Sequence, residues 1–245
     1  MNGSELISPA RLSAGAFFIV ALSILLVAVH TGILALAAQR TSLSSSVKLK
    51  APLLAGTLLA AWLAWALVAE STRVVVAELP PLAGRVVQRP ALLLAMSGMM
   101  ALGITLLLVS KTMRTINAAT PPEWLVGVQL YRVAGAIFLW PFPAGNALPA
   151  GFALPAGIGD VLTGIAAPFV ALALARNRPG ARTAAVAWNW FGILDLIVAP
   201  VAAVLTQSTN IGRFPLVIVP LFLGPPLGIL THVYSLRNLA VNRER

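Results

Sequence analysis

Apolar residues form seven long runs along the chain, and short segments between the runs carry nearly all of the charge. A helix needs about 20 apolar residues to cross the hydrocarbon core of a bilayer. The runs therefore predict seven transmembrane helices in an all-α integral membrane protein, with residues 1–245 forming a single polytopic domain. The predicted spans are residues 12–38, 51–70, 91–110, 123–141, 152–175, 183–206 and 214–236.

The first apolar run contains an Ala-x-Ala pattern in ILALAAQ (33–39), as signal-peptide cleavage sites do. The run from Leu12 to Ala38 is, however, longer than the roughly 7–15 residues of a signal peptide. Positive residues also follow the run, beginning with Arg40, whereas they precede the apolar part of a signal peptide. We expect a retained transmembrane helix.

Two segments rich in proline and glycine interrupt the apolar pattern. The first, WPFPAGNALPAGFALPAG (140–157), predicts a turn between the fourth and fifth spans, with a re-entrant segment over 141–157 as the alternative. The second, LGPPLG (223–228), lies inside the last span. Because Pro225 and Pro226 remove two backbone donors, the helix should kink or break at Gly224-Pro225-Pro226. The break is either a simple kink or a source of free carbonyls for a cation.

Composition agrees with this pattern, because 59% of the residues are hydrophobic and only 10% are charged. Soluble domains are about 45–50% apolar and about 25% charged, so the main partner of this chain is the lipid bilayer. With no cysteine, there is no disulfide and no thiolate ligand. The net charge of +10 is spread over short loops without a basic block, so we expect no nucleic-acid binding.

The basic residues predict the orientation of the helices. The first, third and fifth loops and the C-terminal segment hold eleven of them, whereas the N-terminal segment and the other loops hold five. The richer side should be cytoplasmic, with the N-terminus outside and the C-terminus inside. The predicted location is a plasma membrane, the inner membrane of a bacterium. A retinal protein is excluded because the last span has no lysine for a Schiff base.

Three ionisable residues on consecutive spans are predicted to meet near the middle of the membrane. At a rise of about 1.5 Å per residue, Asp160 and Asp195 lie near 18 Å from the cytoplasmic boundary. Arg132 starts near 13 Å and has a long side chain. We expect Asp160 to pair with Arg132, and Asp195 to share the cation or carry a proton. Charged groups at this depth are costly and usually functional, although an ion triad that only fixes the helix packing is the alternative.

Four further polar residues in the spans are candidate partners of this cluster or metal ligands. Gln129 and Asn189 are predicted at matching depth, where their amides would bond to each other below the ion triad. His30 and His232 lie near the cytoplasmic ends of the first and last spans, where they would meet. Two histidines alone are a weak signal for a metal or haem site, so no metal or other cofactor is predicted.

These features favour a small permease or an ion- or proton-coupled carrier, whose site holds a small solute, an ion or a proton. A ligand-binding, sensory or assembly protein with a structural ion triad is the first alternative. A membrane-embedded enzyme that modifies a lipid or isoprenoid, with the aspartates as acid and base or as metal ligands, is the second. The weight of these features is against an enzyme, and the sequence does not determine an oligomeric state.

Overall fold

The structure is a computed structural model that describes residues 9–72, 90–139, 150–205 and 219–241. Within these ranges the chain is almost entirely helical and contains no strand. Its first helices are α1 (Pro9–Gln39), α2 (Ser45–Thr72), α3 (Pro90–Val109) and α4 (Lys111–Ala119). The next are α5 (Pro122–Gly127), a 3-10 segment (Val128–Gly135) and α6 (Ala136–Leu139). The last are α7 (Ala150–Ala175), α8 (Ala181–Leu205), a π-helical segment (Val219–Leu227) and α9 (Gly228–Val241).

Four of the described helices are long and apolar enough to cross a membrane. They are α1, α2, α7 and α8, which agree with the predicted first, second, fifth and sixth spans. A fifth crossing results if α3 and α4 form one broken span. The protein is therefore an all-helical membrane protein, while the count of seven spans and their orientation stay predictions. The predicted turn falls largely on residues 140–149, outside the described residues, and α7 takes up the rest of that segment from Ala150.

The third predicted span ends in a sharp bend. The helix axes of α3 and α4 meet at 89° across Ser110. The Ser110 hydroxyl accepts a hydrogen bond from the amide of Met113, which caps the start of α4. The guanidinium of Arg114 turns back and donates to the Leu108 carbonyl oxygen at 2.5 Å, near the end of α3. Residues 111–119, which lie in the predicted loop after the third span, therefore form a capped helix that runs across the end of α3.

The fourth predicted span, 123–141, is not one regular α-helix. It consists of α5, the 3-10 segment and α6 in direct succession, as far as Leu139. A 3-10 helix has three residues per turn, so side chains three positions apart lie on the same line. Gln129, Arg132 and Gly135 accordingly share one face, and all three are buried. The irregular geometry thus aims the arginine and the glutamine in one direction.

The last predicted span is broken, as its two prolines predict. The backbone at Gly224 has φ −73° and ψ −111°, which is not helical. Two side chains of the 3-10 segment bond to carbonyl groups around the break: Tyr131 Oη donates to Leu223 O at 2.7 Å, and Gln129 Nε2 donates to Gly228 O at 3.1 Å. These two carbonyls are therefore held by the protein itself, which favours the kink over a carbonyl cation site.

The ends of several helices meet at one end of the bundle, which we call the basic end because Arg40, Lys50 and Lys111 lie there. Ile116 of α4 packs against Ala37 and Ala38, at the end of α1. Asn238, near the end of α9, donates to the carbonyl oxygens of Asn117 and Thr120, each at 2.6 Å. The guanidinium of Arg40 lies 4.6 Å from the ring centroid of Trp124, at the start of α5. These contacts fix the relative direction of α1, α4, α5 and α9.

Candidate functional site

The centre of the candidate site is one guanidinium group that contacts two carboxylates. Arg132 Nε donates to Asp160 Oδ1 at 2.7 Å, and Nη2 lies 2.6 Å from the same oxygen. Nη2 also donates to Asp195 Oδ2. The arginine side chain is 1% exposed, and those of Asp160 and Asp195 are 14% and 8% exposed. The structure thus brings together the three residues that the sequence predicted at one depth.

The third nitrogen of Arg132 contacts Gly192 and His232, a pairing that the sequence did not predict. Nη1 lies 3.3 Å from the Gly192 carbonyl oxygen and 3.3 Å from His232 Nε2. Because an arginine can only donate, Nε2 must accept and the proton of the imidazole must lie on Nδ1. His232 Nδ1 is 2.9 Å from Asn189 Oδ1, which is the acceptor that this tautomer needs. His232 is therefore neutral in this arrangement.

Asn189 extends the network to the neighbouring backbone and to α9. Its Nδ2 donates to the carbonyl oxygen of Ala185 at 2.7 Å and to Ser235 Oγ at 3.1 Å. The ring of Trp188 lies 4.9 Å from that of His232, and its Nε1 donates to the Thr163 carbonyl oxygen. Asn189, His232 and Ser235 are all fully buried. Both ring nitrogens of His232 thus contact neighbouring side chains, and Trp188 packs against the ring at a tilt.

Glycines allow the four elements to approach closely enough for these contacts. A Cβ at Gly135 would overlap the side chain of Asp160, and one at Gly159 would overlap the carboxylate of Asp195. A Cβ at Gly192 would overlap His232. At Gly164 it would lie only 2.5 Å from the backbone nitrogen of Val133. Small residues at such positions let helices pack backbone to backbone in membranes.

The charges of the cluster do not cancel. With both aspartates ionised, Arg132 contributes one positive charge and the two carboxylates contribute two negative charges, while His232 is neutral. The sum is −1 in a buried site, where an uncompensated charge is costly. A proton or a small cation that binds at the aspartates would restore neutrality.

A cavity of about 30 Å³ reaches this cluster. Its wall includes Arg132, Asp160 and Tyr131 on one side, and Leu223 and Gly224 of the broken helix on the other. A polar cavity needs about 10–15 Å³ to hold a water molecule, so this one has room for about two. The break in the last helix and the ion cluster, which appear separately in the sequence, therefore border the same space.

Two predicted pairings are wrong. Gln129 and Asn189 do not bond to each other, because Gln129 bonds to Gly228 whereas Asn189 bonds to Ala185, Ser235 and His232. His30 and His232 do not form a pair either. His30 Nδ1 donates to the Leu26 carbonyl oxygen at 2.8 Å, and Nε2 lies 3.2 Å from Thr231 Oγ1. In the described ranges no three His, Asp or Glu side chains group as metal ligands do.

Taken together, fold and site define an all-helical membrane protein with a buried arginine between two aspartates. The chain belongs to a family described as a domain of unknown function, DUF8737, which matches residues 89–240. That range includes Arg132, Asp160, Asp195 and His232. No curated protein and no solved structure matches the chain.

Proposed function

We propose that the protein is a small proton-coupled carrier in which Asp160 and Asp195, held by Arg132, bind and release one proton. The observation that carries this proposal is the charge imbalance: one buried guanidinium contacts two carboxylates that are mostly shielded from solvent. One proton on the pair makes the cluster neutral, and its release makes the cluster negative again. A site that changes its charge by one unit in a low dielectric can drive a change in helix packing.

The contacts with Arg132 favour Asp195 as the aspartate that takes the proton. Asp160 Oδ1 accepts a hydrogen bond from Nε and also lies 2.6 Å from Nη2, whereas Asp195 Oδ2 contacts Nη2 alone. Hydrogen bonds from N–H groups stabilise the ionised form of a carboxyl group. Because both carboxylates contact the same Nη2 atom, the proton needs to move only a short distance between them. Asp160 lines the small cavity and is the point of entry.

The size of the cavity supports an ion rather than an organic molecule at the cluster. About 30 Å³ accommodates water molecules that lead a proton to Asp160, but not a metabolite. The solute that moves with the proton binds elsewhere or after a rearrangement of the helices. Tyr131 and Leu223, which bond to each other across this cavity, are positioned to change contact when the last helix moves.

We also infer that the chain crosses the membrane seven times, with the basic end in the cytoplasm. Phe138 and Phe222 pack in one apolar cluster with Ile19 of α1, far from the basic end, whereas Trp124 and Asn238 lie at the basic end. The segments 122–139 and 219–241 therefore run along the bundle, and α9 brings Arg237 to the basic end. Eleven basic residues then face one side.

A reporter that is active only outside the cell should be inactive when fused after Arg245. If that fusion is active, the C-terminus lies outside the cell and the inferred orientation is wrong.

Proton movement in reconstituted liposomes tests the proposed function. Purified protein is placed in vesicles that contain a pH-sensitive dye, and a potassium diffusion potential is applied with and without a panel of ions and small solutes. We expect proton uptake above that of protein-free vesicles in the presence of the transported solute. Asp160→Asn and Asp195→Asn should each reduce it to the background, because either change leaves a neutral pair with Arg132.

The matched control for this experiment is Glu123→Gln. Glu123 lies in the first turn of α5, outside the cluster, and its substitution also replaces a carboxylate by an amide. We expect it to transport protons as the wild type does. If no condition moves protons above the protein-free background, the carrier proposal is wrong. Loss of stability in both asparagine variants would then assign the ion triad a structural role.

A further inference from the structure

A second cavity, larger than the first and of different chemistry, lies on the other side of α9. It measures about 110 Å³, and α1, α2, α3 and α9 form most of its wall. Among its sixteen lining residues only His30, Thr231 and Tyr234 are polar. The apolar lining includes Leu34, Ala55, Leu58, Met99, Leu102 and Met113.

The polar groups in this wall are already bonded within the protein. Tyr234 Oη donates to the Gly103 carbonyl oxygen at 3.1 Å, and Thr231 Oγ1 donates to the Leu227 carbonyl oxygen at 2.8 Å. His30 Nδ1 donates to the Leu26 carbonyl oxygen, and its Nε2 lies 3.2 Å from Thr231 Oγ1. A guest in this cavity therefore meets an apolar surface. Apolar cavities of roughly this size stay free of water and accept apolar molecules such as benzene.

The cavity opens toward the lipid rather than toward water. Leu58 of α2 and Leu102 of α3 belong to its lining and are also 38% and 45% exposed. The neighbouring exposed side chains on these helices, such as Leu54 and Leu108, are apolar as well. In a membrane such a surface faces the hydrocarbon tails. The molecules present at the mouth of the cavity are then acyl chains of bilayer lipids.

Positive charge lies at the end of the cavity that points to the membrane surface. Leu34 and Met113 line the cavity and belong to the basic end. Lys50 precedes the lining residue Ala55 by five residues, or about 7.5 Å along α2. Lys111 begins α4, two residues before Met113. Both lysines are exposed, whereas Arg114 is engaged with Leu108 and Lys48 with Gln39.

From this arrangement we propose a binding site for an anionic phospholipid at the basic end of the bundle. One acyl chain enters between α2 and α3 and fills the apolar cavity. The phosphate group of the same lipid lies at the exposed ammonium groups of Lys50 and Lys111. The cavity selects for an acyl chain and the lysines select for negative charge, so the two parts of the site can be tested separately.

The protein is reconstituted in vesicles that contain equal amounts of phosphatidylcholine and phosphatidylglycerol and is then purified again. Native mass spectrometry measures the lipid that remains bound to it. Wild-type protein should retain phosphatidylglycerol in preference to phosphatidylcholine. Lys50→Gln and Lys111→Gln should each lower this preference about fivefold, which corresponds to the usual attraction of one lysine to an anionic surface. Arg178→Gln, an exposed basic residue in the turn after α7, is the matched control and should change nothing.

Filling the cavity tests the other part of the site. Ala55→Phe should reduce the retention of both lipids, whereas Leu54→Phe, which adds the same ring on the lipid-facing side of α2, should retain them. Met99→Phe serves as a second variant if Ala55→Phe does not fold. Retention of phosphatidylglycerol by the folded cavity variants, at the wild-type level, would contradict the proposed acyl site. Equal effects of Lys50→Gln, Lys111→Gln and Arg178→Gln would contradict the proposed position of the phosphate.

Discussion

Replacing Arg132 by methionine is expected to destabilise the protein by about 3–5 kcal/mol, the usual effect of removing one partner of a buried ion pair. Methionine keeps most of the volume, so the loss reflects charge rather than a cavity. The change leaves the two carboxylates without a cation. It also removes the hydrogen-bond donor of the Gly192 carbonyl oxygen and of His232. The measurement is the free energy of unfolding in mixed micelles, from titration with a denaturing detergent.

The sign of the charge imbalance makes a second expectation possible. Adding Asp160→Asn to Arg132→Met should recover part of the loss, and adding Asp195→Asn as well should recover most of it, because no charge then stays buried. Arg178→Ala, which removes an exposed arginine, should stay within about 0.5 kcal/mol of the wild type. Strictly additive effects of the Arg132 and Asp160 substitutions would show that these residues are not coupled, and the site described above would be wrong.

Replacing Gly164 by alanine is expected to destabilise the protein by about 1–3 kcal/mol, the range found for overpacked cores. The added Cβ would lie 2.5 Å from the backbone nitrogen of Val133 and 3.0 Å from the carbonyl carbon of Arg132. A backbone atom cannot rotate away as a side chain can. The 3-10 segment must therefore shift away from α7, and this shift also moves Arg132 relative to Asp160.

The same substitution at Gly32 provides the control. A Cβ there meets no atom within 4 Å, and Gly32 lies inside α1. Alanine has a higher helix propensity than glycine by about 1 kcal/mol, so Gly32→Ala should be neutral or stabilising. Both variants can be compared by their unfolding in detergent. If Gly164→Ala were as stable as Gly32→Ala, α7 and the 3-10 segment would not be in the close contact described here.

The long helices were predictable because apolar length alone determines where a chain can cross a bilayer. The bounds of α7 and α8 differ from the predicted spans by two residues or fewer. The bend at Ser110 was harder to predict, since the hydropathy of a segment does not show the direction of its helix axis. A serine three residues before Met113, at the start of a polar and amphipathic stretch, is the capping signal that indicates a new helix there.

The ion cluster was predictable from depth, but its polar neighbours were not. An α-helix turns by about 100° per residue, whereas the 3-10 segment turns by about 120° and places Gln129 and Arg132 on one line. Gln129 consequently faces the last helix rather than Asn189. His232 was predicted near the end of its span, but the last helix continues to Val241, five residues beyond the predicted end. His232 therefore lies nine residues before the end of that helix, where it reaches Arg132.

The central claim is that the two aspartates together hold one exchangeable proton, and isotope-edited infrared spectroscopy tests it most directly. Asp160 and Asp195 are the only two aspartates in the chain, so carbon-13 in aspartate carboxyl groups reports on this cluster alone. In lipid bilayers near neutral pH we expect one protonated and one ionised labelled carboxyl group per protein. Asp195→Asn should abolish the protonated band and keep the ionised one. Two ionised carboxyl groups in the wild type, at every pH at which the protein stays folded, would contradict the account.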